Sequence, residues 1–247
     1  MQYTYIMSDI HGHYTEFIKM LKKINFDKTD TLYIIGDIMD RGTENLKILD
    51  FIIENNNIHL LMGNHEDMLL HAYQDEGVNK LYYQTMWISN GGYTTEHELS
   101  MIDENKLNKY LSFLKKLPLY KFLNINNHEY LLVHAGIDIQ NEKYLNKEVL
   151  QKELINDSCL WIRDEFLNNK LIEQLPFTII FGHTPTANIF YNTYDLPQDK
   201  KKLALDNKIL KWNTRIAIDC GCAANRKLGC LRLDDMEEFY ITCTEDL

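Results

Sequence analysis

Five short apolar segments of the sequence are each followed at once by the same few kinds of polar residue, and this repetition constrains the fold most. The residues after the segments are Asp9-Ile10-His11-Gly12, Gly36-Asp37-Ile38-Met39-Asp40-Arg41-Gly42, Gly63-Asn64-His65-Glu66, His134-Ala135-Gly136 and Gly182-His183-Thr184. In open α/β sheets, ligands bind in the crevice outside the carboxyl ends of the strands. We therefore expect these Asp, Asn and His side chains to face a crevice there.

The spacing of apolar residues in the N-terminal part alternates between strand and helix patterns. Residues 3–7, 31–35 and 58–62 are predicted to be buried strands, and amphipathic stretches with helical spacing lie between them. Strand–helix–strand units are joined by right-handed crossovers, which gives parallel strands. The pattern predicts an α/β fold with a mainly parallel core sheet.

The rest of the chain is predicted to add a helical insertion and further strands. The insertion covers about residues 66–117 and ends at Pro118, and it contains the turn Asn90-Gly91-Gly92. Later strands are predicted at residues 130–133, 177–181 and 215–218, with two more in the tail 227–243. Strands without helices between them suggest a second, more antiparallel sheet. Since no Pro/Gly-rich linker divides the chain, residues 1–247 are predicted to form one domain.

Composition excludes several classes of function. The chain has 247 residues and a formal net charge of −10, which disfavours general nucleic-acid binding. No apolar stretch is long enough for a membrane span, and the N-terminus does not have the pattern of a signal peptide. The five cysteines form no C-x-x-C pair and are expected to be buried thiols. These features predict a cytoplasmic protein.

The polar residues after the strands suit divalent cations. Asp9 and His11 are two positions apart in a predicted extended segment, so both can reach one cation. Asp37 has two carboxylate oxygens and can bridge two cations. The other candidate ligands are Asn64, His134 and His183. Oxygen and nitrogen donors without thiolate favour Mn, Fe or Zn.

Two such cations about 3.5–4 Å apart would share a hydroxide and polarise a phosphoryl group. Arg41 can clamp phosphate oxygens with its forked donors. If Asn64 is a ligand, His65 is free to protonate the leaving oxygen while Asp40 holds its ring. The pattern therefore predicts a two-metal phosphoesterase that uses direct attack of a metal-bridging hydroxide.

Taken in order, the five motifs resemble the calcineurin-like metallophosphoesterase superfamily. Within it, they resemble the serine/threonine phosphoprotein phosphatase group, and most of all its small bacterial and phage members of the lambda phosphatase type. The resemblance implies a four-layer α/β/β/α sandwich, in which two mixed β-sheets are flanked by helices and the metal site lies at the carboxyl ends of the strands.

The resemblance also implies roles for individual residues. One metal would be held by Asp9, His11 and Asp37, and the other by Asp37, Asn64, His134 and His183. His65 would be the acid, paired with Asp40, and Arg41 would bind the phosphate. Trp161-Ile162-Arg163 is similar to a segment that supplies a second phosphate-binding arginine, Arg163. Two divalent ions per chain are expected, with Mn favoured over Fe or Zn.

Three functions remain open from the sequence. The favoured one is a phosphomonoesterase acting on phosphoserine or phosphothreonine in a protein or peptide. The alternative is a dinucleoside polyphosphate hydrolase, which would need an aromatic side chain to stack a base. Candidates for that role in the insertion are Tyr73, Tyr82, Tyr83 and Trp87. A catalytically inactive scaffold that binds phosphorylated partners is disfavoured, because every ligand position and the acid are present.

Overall fold

The computed structural model describes residues 2–153 and 158–243, with ten β-strands in this part of the chain. The strands are β1 Thr4–Met7, β2 Thr31–Ile34, β3 Ile58–Leu60, β4 Tyr120–Ile125, β5 His128–Val133, β6 Thr178–Phe181, β7 Leu210–Trp212, β8 Arg215–Ala217, β9 Lys227–Arg232 and β10 Glu238–Thr242. The helices are α1 Tyr14–Lys23, α2 Asn45–Glu54, α3 Asn64–Gln74, α4 Gly77–Trp87, α5 Tyr93–Leu99, α6 Glu104–Leu114, α7 Lys147–Glu153, α8 Ser158–Trp161, α9 Asp164–Leu167, α10 Thr186–Asn192 and α11 Gln198–Leu205. Short 3-10 turns lie at Glu142–Leu145, Lys170–Gln174 and Cys222–Ala224, and a π-helical turn lies at Ile88–Gly92.

The strands form two mixed sheets of five. The first has the order β10-β9-β1-β2-β3, and the second has the order β4-β5-β6-β8-β7. Each sheet contains three neighbouring parallel strands. In the first sheet these are β1, β2 and β3, with β3 at the edge, and in the second they are the central strands β5, β6 and β8. This arrangement brings the carboxyl ends of the parallel strands to the edge where the polar motifs begin.

Alternate residues along the strands belong to two different apolar layers. Ile6 of β1, Ile180 of β6 and Ile216 of β8 lie in a smaller cluster that contains side chains from both sheets. Their neighbours Met7 and Phe181 belong to the larger cluster, which includes the buried faces of the helices. Because successive side chains of a strand point to opposite faces, each sheet packs on the other sheet with one face and on helices with the other. The predicted sandwich of two mixed sheets flanked by helices is confirmed.

The sheet assignment of the C-terminal strands differs from the prediction. Strands β9 and β10 do form an antiparallel pair, but β9 pairs with β1, with Ile6 opposite Leu231, and so extends the first sheet. The second sheet instead has a parallel centre with antiparallel edges at β4 and β7. Those two edge strands were not predicted. Strand β7 has only three residues, and β4 has no fully buried residue, so neither gives a clear apolar pattern.

Helices α3 to α6 follow β3 and cover most of residues 64–114. Asn90-Gly91-Gly92 lies in the π-helical turn, where Gly91 has a φ of 101° and interrupts the helical path between α4 and α5. In the described ranges 2–153 and 158–243, no helix is both long and apolar enough to cross a membrane.

Candidate active site

Backbone hydrogen bonds join the loop after β1 to the loop after β2. The N–H of Asp9 donates to the carbonyl of Gly36 (3.2 Å), and the N–H of His11 donates to the carbonyl of Asp37 (3.0 Å). The N–H of Gly182, after β6, donates to the carbonyl of His134, after β5 (2.8 Å). The strand ends are therefore tied in pairs, which places their side chains in one cluster.

Several of the predicted site residues have a left-handed backbone conformation. These are Asp9 (φ 51°), His11 (φ 48°), Asp37 (φ 55°), Asp40 (φ 72°), Arg41 (φ 70°) and His183 (φ 62°). Residues other than glycine rarely adopt positive φ, which costs on the order of 1–3 kcal/mol per residue. The surrounding hydrogen bonds hold the chain in these turns, and backbone strain of this kind concentrates at functional sites.

One group of side chains that could hold a cation consists of His11, Asp37 and His65. One potential ligand atom from each lies within 4.8 Å of the others, and all three side chains are buried. Nε2 of His11 is 3.6 Å from Oδ2 of Asp37, and Nε2 of His65 is 3.9 Å from the same oxygen. The predicted acid His65 thus lies only slightly farther from Asp37 than the predicted ligand His11 does.

A second group consists of Asp37, His134 and His183, so Asp37 is shared between the two groups. Nε2 of His134 is 3.3 Å from Oδ1 of Asp37. Oδ1 of Asn64 lies 2.8 Å from Nε2 of His134 and 2.9 Å from Nδ1 of His183. The structure thus brings all four residues predicted for this position into one cluster.

Asp9 lies in the same cluster but belongs to neither of these groups among the described residues. Its carboxylate accepts hydrogen bonds from the backbone N–H of His183 (3.0 and 3.1 Å) and from the hydroxyl of Ser8. Burial, and then the charge of Asp219, raise its pKa well above the usual range. An ionised carboxylate is unfavourable when it is buried, so a bound cation would stabilise the ionised form of Asp9.

The imidazoles are oriented as metal ligands would be. Nδ1 of His11 lies 2.8 Å from the carbonyl of Met39, and Nδ1 of His134 lies 2.8 Å from the carbonyl of Ile35. Donation from Nδ1 to a carbonyl leaves Nε2 to face the cluster, as is usual for metal-bound histidine. Nε2 of His183 is buried and has no hydrogen-bond partner in the described part of the chain. The residues therefore fit divalent cations.

Electrostatic coupling is strong around the shared carboxylate. Burial alone would raise the pKa of Asp37, but the neighbouring His134 and His65 outweigh it and hold the pKa well below its usual range. Burial alone would lower the pKa of His134, but the charge of Asp37 outweighs it and raises the pKa to about 9. Without a metal, Asp37 and His134 are therefore held as an ion pair.

The two predicted arginines lie in different surroundings. Nη1 of Arg41 is 3.0 Å from Nε2 of His11, and Nη2 is 3.0 Å from Nε2 of His65, so its guanidinium lies directly over the first group. Arg163 is exposed at the start of α9, and its charge is one of the causes, after burial and His134, that lower the pKa of His183. Both arginine side chains thus lie near the predicted metal ligands.

The structure adds contacts that the sequence did not predict. The buried carboxylate of Glu66 accepts the backbone N–H groups of Asp37 (2.8 Å), Ile38 (3.0 Å) and Gly63 (3.0 Å). Asp219 is also buried and accepts from the N–H of Gly221 (2.8 Å). Trp87 and Thr95 both donate to Asp40. Of these residues, only Glu66 lies in one of the five motifs, so only its position could have indicated a contact with the site. The sequence gave no indication of the contacts made by the other three.

A sequence model of the calcineurin-like phosphoesterase family matches residues 4–212. The chain belongs to that family. The match covers all five motifs and the strands that carry them. As a calcineurin-like phosphoesterase, the protein is a hydrolase of phosphate esters, and the predicted family and enzyme class are confirmed.

Relatives within the calcineurin-like phosphoesterase family differ in the substrates that their names indicate. Serine/threonine-protein phosphatase 2 of Salmonella typhimurium is 29% identical over 74% of this chain and 79% of its own length. The symmetrical bis(5'-nucleosyl)-tetraphosphatase of Photorhabdus laumondii is 33% identical over 63% of this chain, but only 53% of its own length is matched. Other bacterial proteins with the same tetraphosphatase name also match. The chain thus spans about half the length of these tetraphosphatases.

A solved structure described as a putative diadenosine tetraphosphatase superposes with a TM-score of 0.65. It covers 98% of this chain and 94% of the other, at 17% sequence identity. At that identity the likeness establishes the fold of this phosphoesterase and not its substrate.

Proposed function

We propose that this phosphoesterase hydrolyses its substrate with two divalent cations held on either side of Asp37. The observation that carries the proposal is that Asp37 presents one carboxylate oxygen to His11 and His65 and the other to His134. The ligands proposed are Asp9, His11 and Asp37 for one cation and Asp37, Asn64, His134 and His183 for the other. When bound, the cations would neutralise phosphate charge and activate a water molecule for attack.

The remaining residues have roles in binding and proton transfer. Arg41 donates to the lone pairs of His11 and His65 in this structure. A cation on His11 would use that lone pair, which leaves one arm of the guanidinium for a phosphate oxygen. The exposed Arg163 supplies a second positively charged side chain for binding phosphate. When His65 carries a proton on both ring nitrogens, its Nδ1–H donates to Asp40 and its Nε2–H can be transferred to the leaving oxygen.

For the substrate we propose a dinucleoside polyphosphate rather than a phosphoprotein. The sequence favoured a phosphoprotein, but the relatives support the nucleotide alternative better, because seven of the matching bacterial proteins are named as tetraphosphatases. The site also offers an aromatic side chain for a base. Trp161 is 36% exposed, and its ring lies 6.2 Å from that of the proposed ligand His183.

The aromatic residues first considered for base stacking are less suitable. Trp87 is buried, with 1% exposure, and its N–H is used by Asp40. Tyr83 stacks on His71 with ring centroids 4.2 Å apart, and Tyr73 packs against Trp87. Tyr82 is exposed on α4. Trp161 therefore replaces them as the proposed platform.

A phosphoserine or phosphothreonine protein is the second candidate substrate. One observation favours it: the phosphatase of Salmonella typhimurium matches a larger share of both chains than the tetraphosphatase of Photorhabdus laumondii does. The experiment that decides between the candidates uses full-length protein stripped with a chelator and resupplied with Mn²⁺. Initial rates on diadenosine tetraphosphate and on a phosphothreonine peptide are compared, and products are separated by chromatography.

We expect diadenosine tetraphosphate to be cleaved faster, with ADP as the product of symmetrical cleavage. Faster release of inorganic phosphate from the peptide would instead establish the phosphoprotein substrate. A His65→Gln variant, prepared in parallel, shows that any activity belongs to this site. If neither substrate is cleaved with Mn²⁺, Fe²⁺ or Zn²⁺, both proposed substrates are wrong.

A further inference from the structure

The turn between α4 and α5 brings two buried side chains of the insertion against Asp40. Trp87 is the last residue of α4, Thr95 lies in the first turn of α5, and the π-helical turn with Asn90-Gly91-Gly92 connects them. Trp87 is 1% exposed and Thr95 is 0% exposed. The segment takes no part in the proposed chemistry itself, but it packs directly against Asp40, the hydrogen-bond partner of His65.

Hydrogen bonds from this segment surround the carboxylate of Asp40. The indole Nε1–H of Trp87 donates to Oδ2 (2.8 Å), and the hydroxyl of Thr95 donates to Oδ1 (2.5 Å). The same hydroxyl oxygen accepts the backbone N–H of Asp40 (3.1 Å). Nδ1 of His65 lies 2.6 Å from Oδ2. Both oxygens of Asp40 therefore have a partner from the insertion, and Oδ2 is shared between His65 and Trp87.

The backbone of the turn holds the next residue as well. The N–H of Arg41 donates to the carbonyl of Gly91 (3.0 Å), and its Nε–H donates to that of Asn90 (3.4 Å). A Cβ atom at Gly92 would lie 2.4 Å from Nε1 of Trp87, so the absence of a side chain there gives the indole its place. The turn thus contacts Arg41, and the residues on either side of it, Trp87 and Thr95, contact Asp40.

We propose that Trp87 and Thr95 are positioning residues, which act through Asp40 to hold His65 in the orientation required for protonation of the leaving group. The inference rests on the proposed role of His65. A buried carboxylate that accepts from two fixed donors is held in one rotamer. It then accepts from Nδ1–H of His65 and leaves Nε2 toward the substrate. Loss of either donor frees the carboxylate to rotate, and small misplacements of catalytic groups reduce rates strongly.

The test uses Mn²⁺-loaded full-length protein with two phosphomonoesters that differ in their leaving group. 4-Nitrophenol leaves readily as the anion, whereas phenol needs the proton from His65. Trp87→Phe keeps an aromatic ring but removes the N–H, and Thr95→Val keeps the shape but removes the hydroxyl. We expect each to lower kcat on phenyl phosphate about 10- to 100-fold, the range found for outer partners of catalytic groups. On 4-nitrophenyl phosphate we expect less than about a threefold loss, because general acid catalysis contributes little there.

Three controls separate positioning from packing. Thr85→Val, on the exposed face of α4, removes a hydroxyl that bonds only within the helix to the carbonyl of Leu81 and should leave both rates unchanged. Thr95→Ser retains the hydroxyl and should restore the wild-type ratio of the two rates. In a His65→Asn background, Trp87→Phe should cause no further loss on phenyl phosphate.

Equal losses on both substrates, or a further loss in the His65→Asn background, would overturn the inference. If Trp87→Phe fails to fold, the ratio measured with Thr95→Val and Thr95→Ser decides the question. If His65→Asn lowers the rates on phenyl phosphate and on 4-nitrophenyl phosphate equally, His65 is not the acid, and the inference is refuted with it. If His65→Asn mainly slows phenyl phosphate hydrolysis, but Trp87→Phe and Thr95→Val keep the wild-type rates on both substrates, only the positioning role is refuted.

Discussion

Nδ1 of His65 lies 2.6 Å from Oδ2 of Asp40, and the two side chains are 1% and 0% exposed. His65 lies in the first turn of α3 and Asp40 in the loop after β2, 25 positions apart in the chain. Removal of His65 should therefore slow the chemical step without removing the cations. For His65→Gln we expect kcat to fall about 10²- to 10⁴-fold, the usual contribution of a general acid. Metal content by elemental analysis should remain at two ions per chain; loss of metal would identify His65 as a ligand instead.

Asp37→Asn should weaken both cation sites together. Asp37 belongs to both groups of potential ligands, and an amide offers one neutral oxygen in place of two charged ones. We expect less than one ion per chain after dialysis and no measurable turnover. Asp195→Asn, at an exposed carboxylate paired with Lys170, is the matched control and should retain metal and activity. Full activity of Asp37→Asn would refute the two-metal mechanism.

Glu66→Gln should destabilise the fold as well as the site. The carboxylate accepts three backbone N–H groups from the loops around Asp37, and a glutamine would turn an NH₂ group toward at least one of them. A buried donor left without an acceptor costs about 1–3 kcal/mol. Urea unfolding should show a free energy of unfolding that is lower by this amount, with a lower midpoint and an unchanged slope. Stability equal to wild type would mean that the loop reorganises around the amide.

Chelator-treated protein should lose stability as the pH rises from about 6.5 to about 9. Burial lowers the pKa of His134, but Asp37 raises it to about 9 in the folded state, compared with about 6.5 in the unfolded chain. Stability from a raised pKa is complete below the unfolded value and is lost as the pH rises through the folded value. The loss should amount to roughly 3 kcal/mol.

Urea midpoints measured across this pH range check the prediction. His134→Gln should flatten the decline, because glutamine does not titrate. Mn²⁺ should flatten it as well, since a cation binds the deprotonated imidazole. Stability that rises with pH in the metal-free protein would contradict the assigned direction.

Trp161→Leu should affect a nucleotide substrate selectively. The exposed indole beside His183 is proposed to stack on a base, and such stacking contributes about 1–3 kcal/mol. We expect KM for diadenosine tetraphosphate to rise about tenfold, consistent with that range, while KM for 4-nitrophenyl phosphate stays the same. An equal change for both substrates would place Trp161 in phosphate binding or in packing.

Local features of the chain were sufficient to predict the parallel strands β1, β2 and β3 and the kinds of residue at their ends. The apolar period of a strand and the ligand chemistry of Asp, Asn and His are properties of short segments, so they can be recognised without knowledge of the fold. For the same reason the helical insertion and the tail hairpin were predicted near their observed positions. The convergence of His11, Asp37, Asn64, His134 and His183 followed from where parallel strands end.

Other features depend on contacts between distant parts of the chain. Strand β9 joins the first sheet by pairing with β1, with Leu231 opposite Ile6. Both side chains are buried in the same apolar cluster, and no local pattern in the sequence indicates this pairing. Asp40 receives Trp87 and Thr95 from 47 and 55 positions away. Hydrogen bonds of this kind form only where two surfaces meet, so the tertiary structure decides them. It alone shows that the insertion holds the pair formed by Asp40 and His65.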